Sequence, residues 1–401
     1  SGQVDEARAT LQQKLDDVVP AIDDIAALVE VLPDLFGGDG ERRYFLGAQN
    51  PAELRGTGGL IGAYAIMTAR DGQLSISRFG PIQDLPENLF DEDVAPNQEF
   101  LDRYANVIDG TGTWLNVNFS PHFPTVAETI ERMFREATGD RLDGTILVDP
   151  FALQSMLAVT GPVTVPDPEI GTLSSDTVVQ YVVNEAPRAL GFAGERKEVL
   201  GEAARAVLAE FLSGDVGGRQ RIEALADAVT GGHLIIHAAS PDVQAALSRL
   251  NATGALPDPA QTSLAVAINN TALSKADFWL QQRVHWTVTL DPDGTASATV
   301  LLEIANAAPA DPAIPRYIIG PGVPDLSFGE SWPFVTLLCG SCEVRAVRYD
   351  DADNFGVLMG REQDHTLTDV RTTIPLGETK TIEYTLELPH AWRRAGTGGA
   401  I

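Results

Sequence analysis

Residues 43–64 read RYFLGAQNPAELRGTGGLIGAY, two apolar runs separated by a polar, glycine-rich loop. The first run, Tyr44-Phe45-Leu46, has the character of a buried strand, and the second resumes after Gly56-Thr57-Gly58-Gly59. Between them stand Gln49, Asn50, Glu53 and Arg55. An amide, a carboxylate and a guanidinium between two buried strands are costly unless they line a site or satisfy one another. The glycines remove side chains, so another backbone or a ligand can approach closely. Two readings follow: a loop that binds something, and a tight connection in which Glu53 and Arg55 simply pair.

On the N-terminal side, residues 4–31 carry apolar residues at helical spacing interrupted by Pro20, which predicts an amphipathic, kinked lead-in helix ahead of a Gly-rich boundary. On the other side, LIGAYAIMTA and QLSISRFG flank Arg70-Asp71-Gly72, a hairpin signal. Residues 81–112 are rich in Pro, Asp and Asn and read as a long surface loop or lid. Asn116, Asn118, Ser120 and His122 then precede a helix expected to start near Thr125, with Glu128 completing a capping box. DGTILVDP (143–150) is a short buried strand ending in Asp149 and followed by a helix. That order is an α/β signature with an acid at a strand's carboxyl end, where such sheets place ligands. Helices are expected over 175–187, 194–213, 219–229 and 241–250, with a strand at 233–238. From about residue 262 the pattern alternates (RVHWTVTL, TASATVLLEIAN, TKTIEYTLELP), which predicts an all-β sandwich of immunoglobulin-like type. The expected division is 1–38 for the lead-in helix, 39–260 for the α/β domain and 261–401 for the sandwich.

Composition narrows the function classes. The 401 residues carry 56 acidic and 28 basic side chains, a formal charge of −28. Such a field repels nucleic-acid backbones and anionic membrane surfaces, so nucleic acid is not an expected partner. No run reaches the ~18–20 apolar residues that span a bilayer, which leaves any membrane anchor outside this stretch. The two cysteines, Cys339 and Cys342, lie in a strand-like LLCGSCEV without a second pair, and they read as a small structural disulfide in an exported protein.

No GxxxxGK[ST], HExxH or GxSxG occurs, and the six histidines have no ligand spacing, so no metal and no cofactor is expected. What remains is a set of carboxylates at element ends: Glu53, Asp149 and Glu185. Two carboxylates flanking a glycosidic bond suffice for hydrolysis or transglycosylation. Asn50, Arg55, Asn118, His122 and Arg188 would then contact the sugar. Phosphoryl transfer from a lipid-linked sugar would instead need several Arg or Lys residues and a metal held by an Asp, and Arg55, Arg188, Arg196 and Lys197 are the available cations.

Four segments, QNPAELRGTGGLIGAYA, NFSPHFPTVAETIERMF, DGTILVDPFALQSMLAVTGPVTVP and INNTALSKADFWLQQRV, together resemble the domain of unknown function 4012, a family of exported or membrane-anchored actinobacterial proteins. The resemblance covers roughly 40–290. Its first motif falls on Gln49, Asn50, Glu53, Arg55, Thr57, Gly58 and Gly59, its VDP motif on Asp149 and Pro150, and its later motif on Asn270, Lys275 and Asp277. The chain departs from the family at His122, where an acid is usual. The third segment is also similar to the LytR-CpsA-Psr fold, whose enzymes attach glycopolymers to cell walls, which implies a mixed α/β sheet with flanking helices and an envelope-glycan context.

These readings combine into one expectation. The chain is a cell-envelope or extracellular glycoside hydrolase or transglycosylase acting on an actinobacterial polysaccharide such as arabinan. Glu53, Glu185 and Asp149 are its acids. A metal-dependent glycopolymer phosphotransferase and a non-catalytic glycan-binding protein are the alternatives.

Overall fold

The computed structural model describes residues 26–27, 29–87, 94–105, 110–166, 170–190, 195–323, 326–349, 356–389 and 391–392. The expected lead-in helix falls mostly outside them; its described end, 26–27 and 29–35, is helical, and Val31 and Leu35 pack against Val243 and Leu247.

The opening stretch forms two paired strands. β1 (Arg42–Asn50) runs antiparallel to β2 (Leu60–Arg70), which turns through Asp71-Gly72 into β3 (Gln73–Pro81). β4 (Gly144–Val148) lies parallel to β1, pairing Tyr44 with Gly144 and Ala48 with Val148. After the short β5 (Val163–Thr164) and β6 (Thr172–Leu173), β7 (Leu234–Ala238) completes a five-stranded sheet in the order β3-β2-β1-β4-β7. Alternate residues of β1 feed opposite faces. Phe45 points toward Trp114, Phe134 and the Phe123–Thr138 helix, and Leu46 toward the layer holding Ala152 and Ala228 of the Pro150–Thr160 and Gly218–Thr230 helices. Helices therefore cover both faces, as expected of a mixed α/β sheet. Because β1 and β4 are parallel neighbours, Asn50 and Asp149 end up at the same edge.

The alternating C-terminal segments form two antiparallel four-stranded sheets. One contains β9 (Leu280–Leu290), β10 (Ala296–Asn306), β12 (Glu343–Tyr349) and β15 (Thr379–Leu388) in the order β12-β15-β10-β9. The other contains β8 (Ser263–Asn270), β11 (Pro333–Gly340), β13 (Val357–Glu362) and β14 (His365–Arg371) in the order β13-β14-β11-β8. Val300, Leu302, Val335, Leu337 and Tyr384 from both sheets share one core. Cys339 and Cys342 are disulfide-bonded across the end of β11.

Two segments differ from expectation. The 81–112 stretch is not a lid over its described length: Phe100 and Tyr104 are buried, and Arg103 binds Asp369 of β14 bidentately at 2.7 and 2.8 Å. The helix after the 116–122 cluster begins at Phe123, capped by His122 rather than Thr125, and Glu128 is exposed. Pro124 sits in its first turn, where a missing N–H costs nothing.

Candidate functional site

The loop after β1 is built by its own polar groups. Asn50 Oδ1 accepts from Ala52 N at 3.0 Å and its carbonyl from Glu53 N at 3.0 Å, which turns the chain sharply. Thr57 Oγ1 donates to Gln49 Oε1 at 2.7 Å, and Asn118 Nδ2 donates to Thr57 Oγ1 and the Gly59 carbonyl, each at 2.8 Å. Asn118, fully buried, is thus a strut beneath the loop rather than a ligand contact. The glycines serve close backbone packing. A Cβ on Gly56 would sit 2.2 Å from the Phe119 carbonyl oxygen, and one on Gly59 2.5 Å from the Asn50 carbonyl carbon.

Arg55 does not pair with Glu53. Its Nη1 donates to the carbonyls of Leu54 (2.9 Å) and Asn270 (3.0 Å), its Nε to that of Leu115 (3.2 Å), and its guanidinium lies 4.7 Å over the Phe119 ring. Burial lowers its pKa to about 10, against the opposing pull of Glu53 and Asp277, so it stays cationic at neutral pH. Its role is a clasp joining the loop, residue 115 and the end of β8.

The partner of Glu53 comes from the C-terminal part. Lys275 Nζ forms an ion pair with Glu53 Oε2, which also accepts from Asn50 Nδ2 at 3.3 Å. Beneath them Asp277 Oδ2 accepts from Leu54 N at 2.8 Å and Asn270 Nδ2 at 2.7 Å. Burial raises its carboxyl pKa to about 7, opposed by those two hydrogen bonds and the Arg55 charge. Asn269 Oδ1 accepts from Gly56 N at 2.9 Å, and Asn270 N donates to the Leu54 carbonyl at 2.9 Å.

Above this floor lies a cleft of about 490 Å³. Its polar lining includes Asn50, Glu53, Asn116 and Lys275; its apolar lining includes Leu60, Leu115, Val182 and Leu273, with Tyr181 and Tyr317. Tyr181 opens a π-helical turn (Tyr181–Glu185), a distortion common at functional sites. Tyr317 donates its hydroxyl proton to the Pro187 carbonyl, which ties the C-terminal part to that lining.

The sequence-derived residues separate. Asn50, Glu53 and Arg55 line the cleft. Glu185 and Arg188 are exposed and outside its lining, and the side chains of Arg196 and Lys197 lie outside the described residues. Asp149 caps the Pro150–Thr160 helix, accepting from Phe151 N (2.8 Å) and Ala152 N (3.1 Å), and binds His233 Nδ1 at 2.8 Å. His122 caps the Phe123–Thr138 helix, its Nδ1 accepting from Thr125 N, and burial lowers its pKa to about 4, which keeps that nitrogen free to accept. Sequence pattern does not single out Tyr181, Tyr317 or Gln83, because no local signal marks a residue whose importance arises from a distant wall.

Residues 39–186 match the family model described as "Protein of unknown function (DUF4012)". The matched stretch supplies β1 to β4, the loop and the π-helical turn, whereas Asn269, Asn270, Lys275 and Asp277 lie beyond it. No curated protein matches the chain. Among solved structures it is similar to the Lin1025 protein from Listeria innocua (14% identity, covering 53% of this chain and 79% of that one, TM-score 0.27). It is also similar to protein gbs0355 from Streptococcus agalactiae (12%, 53% and 74%, 0.33) and to TagT bound to LI-WTA (14%, 54% and 76%, 0.28).

The glycoside hydrolase or transglycosylase expectation is corrected here. Of the three acids only Glu53 faces the cleft, and its charge is matched by Lys275. A pair of carboxylates across a glycosidic bond is not assembled.

A divalent metal, which the phosphotransferase alternative invokes, does not fit the residues of this cleft. Glu53 is held by a lysine and Asp277 by two N–H donors beneath the loop, and among the described residues no three His, Cys, Asp or Glu side chains gather around one point.

Proposed function

We propose that the chain is a cell-envelope glycopolymer transferase of LytR-CpsA-Psr type that takes a lipid-linked glycopolymer in this cleft. The observation that supports it is a cleft whose lining combines apolar side chains with the Glu53–Lys275 ion pair, where β1 ends at Asn50. The lipid lies along Leu60, Leu115 and Leu273, and the phosphate meets Lys275. As the phosphate engages Lys275, Glu53 is released to accept the proton of an acceptor hydroxyl. That oxygen bonds to phosphorus, the bond from phosphorus to the lipid-side oxygen breaks, and the lipid leaves with that oxygen. Asn50 and Asn116 orient the first sugar. The division at 260/261 separates the fold that carries the loop from the part that supplies Lys275.

The test is a titration with a fluorescent lipid-linked oligosaccharide, followed by assay for transfer to a glycan acceptor. Saturable binding is expected, weakened about tenfold, or 1.4 kcal/mol, by Lys275→Met. Leu273→Glu, at an exposed rim position, is expected to weaken the lipid-linked ligand but not the free oligosaccharide. Failure of the lipid-linked ligand to bind saturably would overturn the reading.

One observation favours a second reading, non-catalytic glycopolymer binding. Nε and Nη1 of Arg55 are occupied by carbonyls and Lys275 is already neutralised, which leaves little positive charge for a pyrophosphate. That reading predicts the same binding with no product on prolonged incubation.

A further inference from the structure

A second cavity, of about 440 Å³, opens at the other end of β4, around the chain leading into Gly144. It lies between the last turns of the Phe123–Thr138 helix, the 139–142 connection, the end of β7 and the start of the Pro241–Arg249 helix. Three arginines line it, Arg132, Arg135 and Arg141, in a chain whose formal charge is −28.

Two of these guanidinium groups are uncommitted. Among the described residues, Arg135 and Arg141 have no side-chain hydrogen-bond or ion-pair partner, and both are exposed. Arg132 donates from Nη1 to the Ala95 carbonyl at 3.0 Å and stands 3.9 Å from Glu128. The inner carboxylate, Glu131, is turned to Thr145 Oγ1 at 3.0 Å and His237 Nδ1 at 2.9 Å and pairs with neither arginine, so the lining sets three arginines against two carboxylates, Glu128 and Glu131. Gln244 accepts from Ala238 N through Oε1 at 2.9 Å, which turns its amide nitrogen outward as a further donor. Like charges gathered around one cavity repel, and donors without acceptors fit an anion.

We propose that this cavity binds a small phosphate-bearing ligand of sugar-phosphate size, with Arg135 and Arg141 as its principal contacts. The volume admits a monosaccharide phosphate, and planar guanidinium forks match phosphate oxygens. The site is separate from the cleft at the opposite end of the sheet and does not rest on the function proposed for it. The same phosphate chemistry can come from a free sugar phosphate or from phosphate groups along an anionic glycopolymer.

The experiment is calorimetric titration of the whole chain with glucose 1-phosphate, glucose, inorganic phosphate and a phosphate-bearing oligosaccharide. Glucose 1-phosphate is expected to bind saturably and glucose not at all. Affinity should fall about tenfold or more in the Arg135→Gln/Arg141→Gln double variant, and should fall with added salt, as charge pairing near a surface requires. Both positions are exposed, so an unchanged thermal unfolding curve confirms that the variant folds. Lys275→Met, in the cleft, should leave this affinity unchanged, which keeps failure here distinct from failure of the cleft. Tighter binding of the oligosaccharide than of glucose 1-phosphate identifies the polymer as the source of the phosphate, and the reverse identifies the free compound. Absence of saturable binding by every phosphate compound, or an equal affinity in the double variant, overturns the proposal.

Discussion

At the scale of single residues, the two buried ionisable groups at the loop, its own Arg55 and Asp277 beneath it, do different work from Glu53, which faces the cleft. Arg55 directs its donors to three carbonyls contributed by Leu54, Leu115 and Asn270. A lysine there keeps the charge but not the fork, so Arg55→Lys is expected to lower unfolding free energy by about 3 kcal/mol in urea denaturation. Asp277 sets a pH dependence. Its folded pKa, about 7, is raised above its ordinary value of 3.8. The folded protein therefore holds a proton that the unfolded chain releases, and the associated stability is complete below about pH 4 and lost as pH rises through 7. Wild type should thus lose up to a few kcal/mol between pH 5 and pH 8 from this group. Asp277→Asn keeps both hydrogen bonds and should flatten that part of the profile; an unchanged slope would remove Asp277 as the cause. Sequence pattern alone finds Glu53 and Arg55 because they interrupt apolar runs. It does not tell which of them is buried, since Arg55 is satisfied by a carbonyl 215 residues away.

At the scale of elements, strand and helix identities are largely legible because the periodicities of β1, β4 and the 219–229 helix are strong, and the fold's misreadings concern ends and surroundings. The pattern starts the Phe123–Thr138 helix two residues late because Thr125 and Glu128 imitate a capping box, whereas His122, a rarer cap, holds the position. His122→Ala should cost about 1 kcal/mol of stability, recovered in His122→Asp, by thermal or urea unfolding. Since the folded pKa of His122, about 4, is depressed from 6.5, its contribution is present above 6.5 and lost as pH falls toward 4, opposite in sign to that of Asp277. The alternation in RVHWTVTL correctly marks β9 but implies one buried face. β9 is instead the edge of its sheet, and Val284, Trp286 and Val288 remain exposed. Alternation reports a pleated strand and says nothing about what lies against it.

At the scale of the whole molecule, the part before residue 260 and the part after it are joined by buried polar contacts that no local pattern announces. The Arg55 clasp and the Gly56–Asn269 bond form one junction. The second is the pairing of Arg103 with Asp369, supported by Tyr104 and Ser120, which donate to Glu362 at 2.5 Å each. Glu53 and Lys275 meet only because these junctions hold, so the charged pair in the cleft is a property of the assembled chain. The resemblance read from the sequence at Asn270, Lys275 and Asp277, beyond the matched residues 39–186, points to those positions without saying that they close over the loop. Two buried junctions should make the chain unfold in a single cooperative transition. Asp369→Ala leaves the Arg103 charge buried without its main partner, a change that costs about 3–5 kcal/mol. That loss falls on the contact between the parts rather than on either core, so the C-terminal sheets should keep their own packing. Tryptophan fluorescence and far-ultraviolet circular dichroism, coincident during urea denaturation of wild type, should separate in Asp369→Ala. Coincident transitions in the variant, shifted together to lower urea, would mean instead that the two parts form one indivisible folding unit.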